Sequence, residues 1–317
     1  MPSETKRERL LERLWRIERG FVSKLPSPLK RPYLEASKFV AANLGLHDLR
    51  FPVSSPRFGE MMVNRVDTVN FFIYFFGVWE PRISALIESY LEPGDVFVDV
   101  GANVGYYSLC AAKLVGPTGR VYALEASPSI YERLCDHIER NELRNTEPVH
   151  CAVWDTEAEL DIFLGPTKNE GNTSLQEGLG RVRESRVHAA PLSSLIPHDD
   201  LDRVRIVKID VEGAETQVIR GTIECLDRMP EGVMFLIEVT KSLMRQQGGS
   251  VTEALEPFES RGFRFFAIPN DYSFGFYLRH SESAPLVEEI SYSKIVDGPE
   301  ARFDLAVTRT DLVSRLR

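Results

Sequence analysis

Along most of this chain, short apolar runs alternate with segments in which apolar residues recur every three or four positions. Short, mostly apolar runs, typical of buried strands, predict strands at 96–100, 120–124, 149–153, 160–164, 204–209, 233–239, 263–268 and 303–307. Apolar positions recurring every three or four residues predict helices at 82–91, 107–114, 129–141, 215–225 and 255–261. Strands that alternate with helices predict an α/β fold, a parallel sheet with helices on both faces.

The first 33 residues are basic, and Leu10, Leu14 and Ile17 recur at helical spacing among arginines. This pattern predicts an amphipathic helix, followed by a second helix at 33–44 and short strands within 51–69. The first helix either lies on an anionic membrane or a partner, or packs on its own domain. We favour packing on its own domain, because amphipathic surface helices are common.

No segment has the apolar length of a membrane span. The longest apolar stretch, 69–79, falls short of the roughly 20 residues that a bilayer requires. Charges also follow the N-terminal basic residues, where a signal peptide would be apolar. We therefore expect a cytoplasmic protein. The aromatic residues of this stretch, from Phe71 to Trp79, are expected in the core, with an acceptor pocket wall as the alternative.

Composition narrows the classes of function. The chain has 317 residues and a net charge of −9, which argues against broad binding to nucleic acid. Its four cysteines, with no zinc-like spacing, are predicted to be free thiols.

The strongest local motif follows the strand at 96–100, where Asp99 precedes Gly101, Asn103 and Gly105. A dinucleotide loop requires a G-x-G-x-x-G spacing, and its second and third glycines would fall on Asn103 and Tyr106. Asparagine tolerates a positive φ better than other non-glycine residues do. The Asp99 carboxylate suits an α-amino group and would repel a phosphate. The loop therefore favours S-adenosylmethionine over a dinucleotide.

Two further positions fit an adenosyl ligand. Glu125 ends the second strand, where a carboxylate accepts hydrogen bonds from ribose hydroxyls in this architecture. Ala152 and Val153 end the third strand and are placed against the adenine, although this pair is weak evidence by itself.

Acidic residues follow the next two strands of the sheet. Asp210 and Glu212 follow the strand at 204–209, and Glu238 lies in the strand at 233–239. A carboxylate here could take the proton of an acceptor hydroxyl during methyl transfer. His188 is a weaker candidate for this base. Lys208 and Glu215 are more typical of an ion pair at the start of a helix than of a catalytic role. Asp210, Glu212 and Glu238 could also hold Mg²⁺, although oxygen ligands have no diagnostic spacing.

The glycine loop, Glu125, the run from Lys208 to Glu215 and Ile237-Glu238 together resemble the FkbM family of methyltransferases, over about residues 78–270. The resemblance implies a class I methyltransferase fold, Rossmann-like, with a seven-stranded sheet whose last strand is antiparallel. It also implies O-methylation, typically of sugar or natural-product hydroxyls. The family residues that carry over to this chain are Glu80, Asp99, Asn103, Glu125 and Asp210.

We therefore predict an S-adenosylmethionine-dependent O-methyltransferase domain at 78–317, after an N-terminal extension at 1–77 that recognises the acceptor or forms a lid. The expected acceptor is a small molecule or saccharide; the alternatives are methylation of nucleic acid or protein, and a cofactor-binding module without catalysis. The candidate catalytic residues are Asp210, Glu212 and Glu238. The candidate cofactor-binding residues are Glu80, Asp99, Gly101, Ala102, Asn103, Gly105, Tyr106, Glu125, Ala126, Ser127, Ala152, Val153 and Asp210.

Overall fold

The computed structural model describes residues 6–44, 49–165, 173–174, 182–280 and 286–316. The helices are α1 Lys6–Lys24, α2 Ser27–Asn43, α3 Thr68–Phe76, α4 Pro81–Tyr90, α5 Tyr106–Val115, α6 Pro128–Arg140, α7 Leu192–Leu195, α8 His198–Leu201, α9 Glu215–Ile223, α10 Lys241–Gln246, α11 Val251–Glu259, α12 Phe274–His280, α13 Tyr292–Asp297 and α14 Leu312–Arg315. The strands are β1 Phe51–Ser55, β2 Gly59–Val63, β3 Val96–Val100, β4 Arg120–Glu125, β5 Thr146–His150, β6 Ala152–Val153, β7 Ala158–Leu164, β8 Thr173–Ser174, β9 Val182–Ala190, β10 Val204–Ile209, β11 Met234–Thr240, β12 Arg264–Ala267, β13 Glu288–Ile290 and β14 Arg302–Thr308.

The main sheet has the strand order β13-β12-β14-β11-β10-β3-β4-β5. Strands β5, β4, β3, β10 and β11 are parallel, and the last strand, β14, runs antiparallel between β11 and β12. The predicted α/β class and the antiparallel last strand are therefore confirmed. Because the strand order reverses between β3 and β10, the carboxyl ends of these two strands flank a crevice that can hold a ligand.

Two details of the sheet differ from the prediction. A short eighth strand, β13, pairs antiparallel with β12 and extends the expected seven strands at one edge. The single strand predicted at 149–153 is two strands, because the chain leaves the main sheet at Cys151. There β6 pairs with β9 in a second sheet of order β6-β9-β7-β8.

The core lies on both faces of the main sheet. In β3, Phe97 packs into one large apolar cluster, while Val96 and Val98 pack into the other. This alternation follows from the two-residue period of a strand, and both faces are covered, as expected for a parallel sheet.

The N-terminal segment packs onto the main domain. Trp15 of α1 is 4% exposed, and its Nε1 donates to the Tyr74 carbonyl oxygen at 2.8 Å. Most of the aromatic residues of α3, including Phe71 and Phe72, are buried, as the core interpretation predicts. Among the described residues, no helix has the length and apolar character needed to cross a bilayer.

Candidate active site

A cavity of about 440 Å³ lies at the carboxyl ends of the central strands. Its size is within the range of about 300–1,000 Å³ that is usual for small-molecule sites. Its lining residues that bear on the chemistry are Trp79, Glu80, Gly101, Ala102, Asn103, Tyr106, Tyr107, Glu125, Ala126, Ala152, Val153, Trp154, Lys208, Asp210, Glu212, Glu238, Tyr272 and Arg302. The glycine loop and the strand-end carboxylates thus share one cavity.

The glycine loop has the backbone that its sequence requires. Gly101 has φ of +78° and Asn103 has φ of +52°, in agreement with the predicted tolerance of asparagine for this region. A Cβ on Gly101 would lie 2.0 Å from the Asp210 carbonyl oxygen. The glycine is therefore needed for the close approach of two strand ends, in addition to any approach to a ligand.

Glu125 anchors this loop from the neighbouring strand. Its Oε2 accepts from the Asn103 backbone N–H and its Oε1 from the Ser127 backbone N–H, both at 2.9 Å. Burial raises the pKa of Glu125 to about 7, although the two backbone hydrogen bonds oppose the rise. The carboxylate thus fixes the loop and also lines the cavity.

Replacing Glu125 by alanine is expected to weaken S-adenosylmethionine binding by about 10- to 100-fold, since hydrogen bonds to a charged group contribute about 1.5–3 kcal/mol. Isothermal titration measures the change. Glu184→Ala is the matched control, because Glu184 accepts from Ser127 Oγ and the Ser129 N–H at the start of α6 but is not on the cavity wall. Equal affinities of the Glu125→Ala variant and the wild type would reject the ribose and loop-anchoring roles.

A buried ion cluster supports the wall beneath β10. Lys208 Nζ donates to Asp210 Oδ2 at 2.9 Å, in agreement with their predicted position on one side of the strand. Burial disfavours the ammonium, but Asp210, Asp99 and Glu80 outweigh this effect and raise the pKa of Lys208. Lys208 was expected to be structural; its ammonium lies on the cavity wall and balances the charge of Asp210.

A second cluster of charged residues, around Arg302, lies on the cavity wall. Arg302 donates to Glu238 Oε2 at 2.9 Å and to Asp304 Oδ1 at 3.1 Å, and it lies 3.8 Å from Glu80 Oε1. Burial raises the pKa of Glu80 to about 7, and burial together with Asp210 raises the pKa of Glu238 well above its usual range. Glu238 therefore binds a proton more tightly than an exposed glutamate does, although the Arg302 guanidinium opposes this effect.

The same cluster bears on the suggested Mg²⁺ site. Among the described residues, the carboxylates that converge closely enough to share an ion are Glu80, Glu238 and Asp304. The predicted set of Asp210, Glu212 and Glu238 is not this group. The Arg302 guanidinium already contacts all three convergent carboxylates, so their geometry fits a protein cation in place of a divalent metal.

An aromatic stack forms another part of the wall. The rings of Trp79 and Tyr272 stack with centroids 5.2 Å apart and an interplanar angle of 17°. The Arg302 guanidinium lies over the Tyr272 ring at 4.4 Å, and Tyr272 also donates to Glu80. Tyr272 and Arg302 lie far from the motifs in sequence, and no spacing pattern indicated them.

Three candidate cofactor residues lie off the cavity wall. Asp99 is buried behind it, where its Oδ2 accepts from Ser108 Oγ at 2.6 Å. Gly105 has φ of +89°, and its missing side chain leaves room for Leu134, which would lie 2.6 Å from a Cβ. Ser127 caps α6 through its side chain. These positions indicate supporting roles in place of direct cofactor contact.

Two other residues, His188 and Glu215, differ from their predicted roles as a candidate base and as a member of an ion pair. His188, on β9, is about half exposed, lies 3.7 Å from Glu159 and is not on the cavity wall, so it is misplaced for a base. Glu215 is 2% exposed and, in contrast to the expected ion pair, its Oε1 accepts from the Gly213 N–H at 2.9 Å. The prediction of free thiols is also confirmed. The structure has no disulfide among the four cysteines, Cys110, Cys135, Cys151 and Cys225.

Glu215 is expected to make stability depend on pH. Burial raises its pKa from 4.5 to about 7, so the folded state binds the proton more tightly than the unfolded state. Its contribution to the free energy of unfolding is therefore full below about pH 4.5 and is lost as the pH rises to about 7. Relative to Glu215→Gln, the wild type should lose up to about 3 kcal/mol between acidic and mildly alkaline pH, at about 1.4 kcal/mol per pKa unit.

Urea unfolding at pH 5 and pH 8 tests this dependence. Glu253→Gln is the control, because Glu253 is about half exposed in its pair with Arg220. A pH-independent difference between the wild type and Glu215→Gln would show that the buried Glu215 carboxyl does not titrate in this range.

The profile of the family described as "Methyltransferase FkbM domain" matches residues 99–265, more than half of the chain. The chain belongs to this family. The resemblance of the loop and the strand-end carboxylates to this family is therefore confirmed.

Curated relatives are similar to the chain over a limited region. Methyltransferase sdnD of Sordaria araneosa is 24% identical over 163 residues, which cover 42% of this chain and 62% of the relative. Hexuronic acid methyltransferase AglP of Haloferax volcanii is 24% identical over 149 residues, which cover 46% of this chain and 58% of the relative. The chain thus spans less than two thirds of the length of either relative.

Among solved structures, the methyltransferase FkbM from Methylobacillus flagellatus KT overlaps with a TM-score of 0.34 at 15% identity, over 54% of this chain and 42% of that chain. An overlap this low adds nothing to the assignment. The family assignment therefore rests on the match of the family profile to the sequence.

Proposed function

We propose that this chain is an S-adenosylmethionine-dependent methyltransferase that transfers the methyl group to a hydroxyl of a small molecule, saccharide or natural product. The observation that carries the proposal is that Asp210, Glu212 and Glu238 line the same cavity as the glycine loop and Glu125. A cofactor held by the loop and an acceptor held at the strand ends would then meet within one enclosed space.

The residues present fit the cofactor. Glu125, at the tip of β4, suits the ribose hydroxyls, and Ala152 and Val153 offer an apolar surface to the adenine. Glu80 and Glu212 offer carboxylates for the positive charges of the ammonium and sulfonium groups. Bound S-adenosylmethionine supplies an electrophilic methyl group.

Asp210 is the base that we propose for the acceptor hydroxyl. Its Oδ2 is held by Lys208 and its side chain is about 30% exposed at the cavity, so a carboxylate oxygen can receive the proton. The raised pKa of Glu238 favours its protonated form, which can donate a hydrogen bond that orients the acceptor oxygen. Glu212, with φ of +53°, also lies on the cavity wall.

The charge of the wall disfavours a polyanionic acceptor. Five carboxylates and two cations line the cavity, and this balance disfavours a phosphate backbone. The aromatic stack of Trp79 and Tyr272 offers an apolar edge beside polar groups, which suits a saccharide. The names of the relatives AglP and sdnD agree with a methyltransferase. The name of AglP also agrees with a sugar as the acceptor.

Residues 1–77 are proposed to take part in acceptor recognition. Thr68 and Val69, at the start of α3, line the cavity together with the residues of the main domain. We place the enzyme in the cytoplasm, because its four free cysteines agree with a reducing compartment. Residues 78–317 constitute the catalytic domain in this proposal.

A methyl-transfer screen with labelled S-adenosylmethionine tests the proposal. The panel contains neutral saccharides, hexuronic acids, phenolic natural products, transfer RNA and an unfolded protein. Mass spectrometry and NMR of the product should show a methyl ether on a hydroxyl compound. Transfer to nucleic acid or protein, with none to the hydroxyl compounds, would contradict the proposal.

A further inference from the structure

Exposed large apolar side chains are concentrated at one place in this protein. Eight of the ten among the described residues lie between residues 10 and 44, each 49–69% exposed. We call these eight the N-terminal apolar surface: Leu10, Leu14, Ile17, Phe21, Leu29, Phe39, Val40 and Leu44. Single exposed apolar residues are ordinary, but a group of this size indicates an interaction site.

Helix α1 has two apolar faces, and packing within the chain uses one of them. Trp15 and Val22 face inward and are 4% and 8% exposed. Leu14, Ile17 and Phe21 are spaced by three and four residues and form a separate outward stripe. The favoured sequence interpretation, packing on the domain, therefore accounts for the inward face alone.

Helix α2 also carries exposed apolar side chains. The Phe21 ring meets the Tyr33 ring edge-on with centroids 5.6 Å apart, which joins the two helices. Leu34 and Ala41 of α2 are buried, whereas Phe39 and Val40 are at least half exposed. Exposed apolar side chains therefore lie on both helices, which the contact between Phe21 and Tyr33 joins.

Basic side chains border the stripe on α1. Lys6 is four residues before Leu10, Arg13 lies three residues after it, and Lys24 lies three residues after Phe21, so helical geometry places each beside the stripe. All three basic side chains are exposed. Their long apolar stems can lie along an apolar phase while the charges reach polar groups.

The acidic side chains described on α1 are engaged elsewhere. Glu12 accepts from Arg16 at 2.6 Å. Glu18 accepts from Arg65 and from the hydroxyls of Tyr33 and Tyr74 on the inward side. The outward face of α1 is thus apolar and basic, although the whole chain has a net charge of −9.

We propose that the N-terminal apolar surface docks on an anionic phospholipid bilayer, parallel to its plane. An apolar stripe with lysines and arginines at its border is the pattern of helices that lie in a membrane interface. Basic residues near an anionic leaflet add electrostatic attraction. A symmetric contact between two copies of this face would oppose the basic border of one copy to that of the other, which disfavours a dimer.

Vesicle sedimentation of the full chain tests the proposal. The wild type should bind vesicles of phosphatidylcholine with about 30% phosphatidylserine, and binding should fall with added salt. Ile17→Glu and Phe21→Glu should each lower the partition coefficient about tenfold or more, because each places a carboxylate where the bound protein would insert an apolar side chain into the bilayer. Val182→Glu is the matched control: Val182 is 70% exposed outside the surface, and its variant should bind like the wild type.

Three results would overturn the proposal. The wild type could fail to sediment with anionic vesicles, or Ile17→Glu could sediment as well as Val182→Glu. A dimer in light scattering that Ile17→Glu dissociates, without vesicle binding, would assign the surface to a second copy. Circular dichroism and S-adenosylmethionine titration establish that each variant is folded, and the salt dependence of the wild type tests the proposal without any variant.

Discussion

Gly101→Ala is expected to lower the affinity for S-adenosylmethionine by about 100-fold or more, since a displacement of about 1 Å in a site can have an effect of this size. A Cβ at this position would lie 2.0 Å from the Asp210 carbonyl oxygen and 3.3 Å from Val211 Cγ1. The obstacle at 2.0 Å is backbone and cannot rotate away. The glycine loop or the end of β10 must therefore move, and both line the cavity.

A second glycine separates this steric effect from backbone strain. Gly262 has φ of +75°, close to the +78° of Gly101, but a Cβ there would meet no atom within 4 Å. Gly262→Ala should therefore destabilise the fold by about 1–2 kcal/mol, the usual range for a left-handed residue, and leave cofactor affinity unchanged. Thermal unfolding and isothermal titration of both variants measure the two effects. Equal affinities of the two variants would show that the contact with Asp210 does not matter.

The sequence predicted the sheet strands well because their apolar runs are unambiguous. The predicted bounds 96–100 and 204–209 agree with β3 and β10 as observed. Burial on both faces makes these strands mostly apolar, so the pattern is local and easy to recognise.

The exit of the chain at Cys151 and the strand β9 were not predicted. Alternation of polar and charged residues in β9, from Val182 to Ala190, conceals a strand that pairs in a separate sheet. Such pairing depends on partners distant in sequence, and a single-sequence pattern does not contain that information.

The candidate site divides in the same way. Gly101, Asn103, Glu125 and Asp210 follow strand ends, where topology alone brings residues to one edge, and all four line the cavity. Asp99 and Gly105 belong to the same motif but lie off the wall, since a motif does not distinguish a ligand contact from a packing requirement. Tyr272 and Arg302 reach the cavity only through the tertiary fold.

Asp210→Asn is expected to lower the rate of methyl transfer by about 10²- to 10⁴-fold, the usual contribution of a general base. The amide is isosteric and its oxygen can still accept from Lys208, which now donates to Oδ2 at 2.9 Å. The variant should therefore keep its fold and its affinity for S-adenosylmethionine. Single-turnover kinetics of labelled methyl transfer, together with isothermal titration, separate the chemical step from binding.

Two matched variants decide between proton removal and general electrostatics. Asp161→Asn removes an exposed carboxylate of β7, paired with Arg183 and Arg186, and should leave the rate unchanged. Glu238→Gln replaces a group whose raised pKa favours its protonated form, so it should lower the rate less than Asp210→Asn does. If Glu238→Gln instead has the larger effect, and the rate of the wild type rises with pH through the raised pKa of Glu238, then Glu238 is the base. An unchanged rate in Asp210→Asn would remove Asp210 from the chemistry, because the amide has lost the capacity to take the proton while its shape and its contact with Lys208 persist.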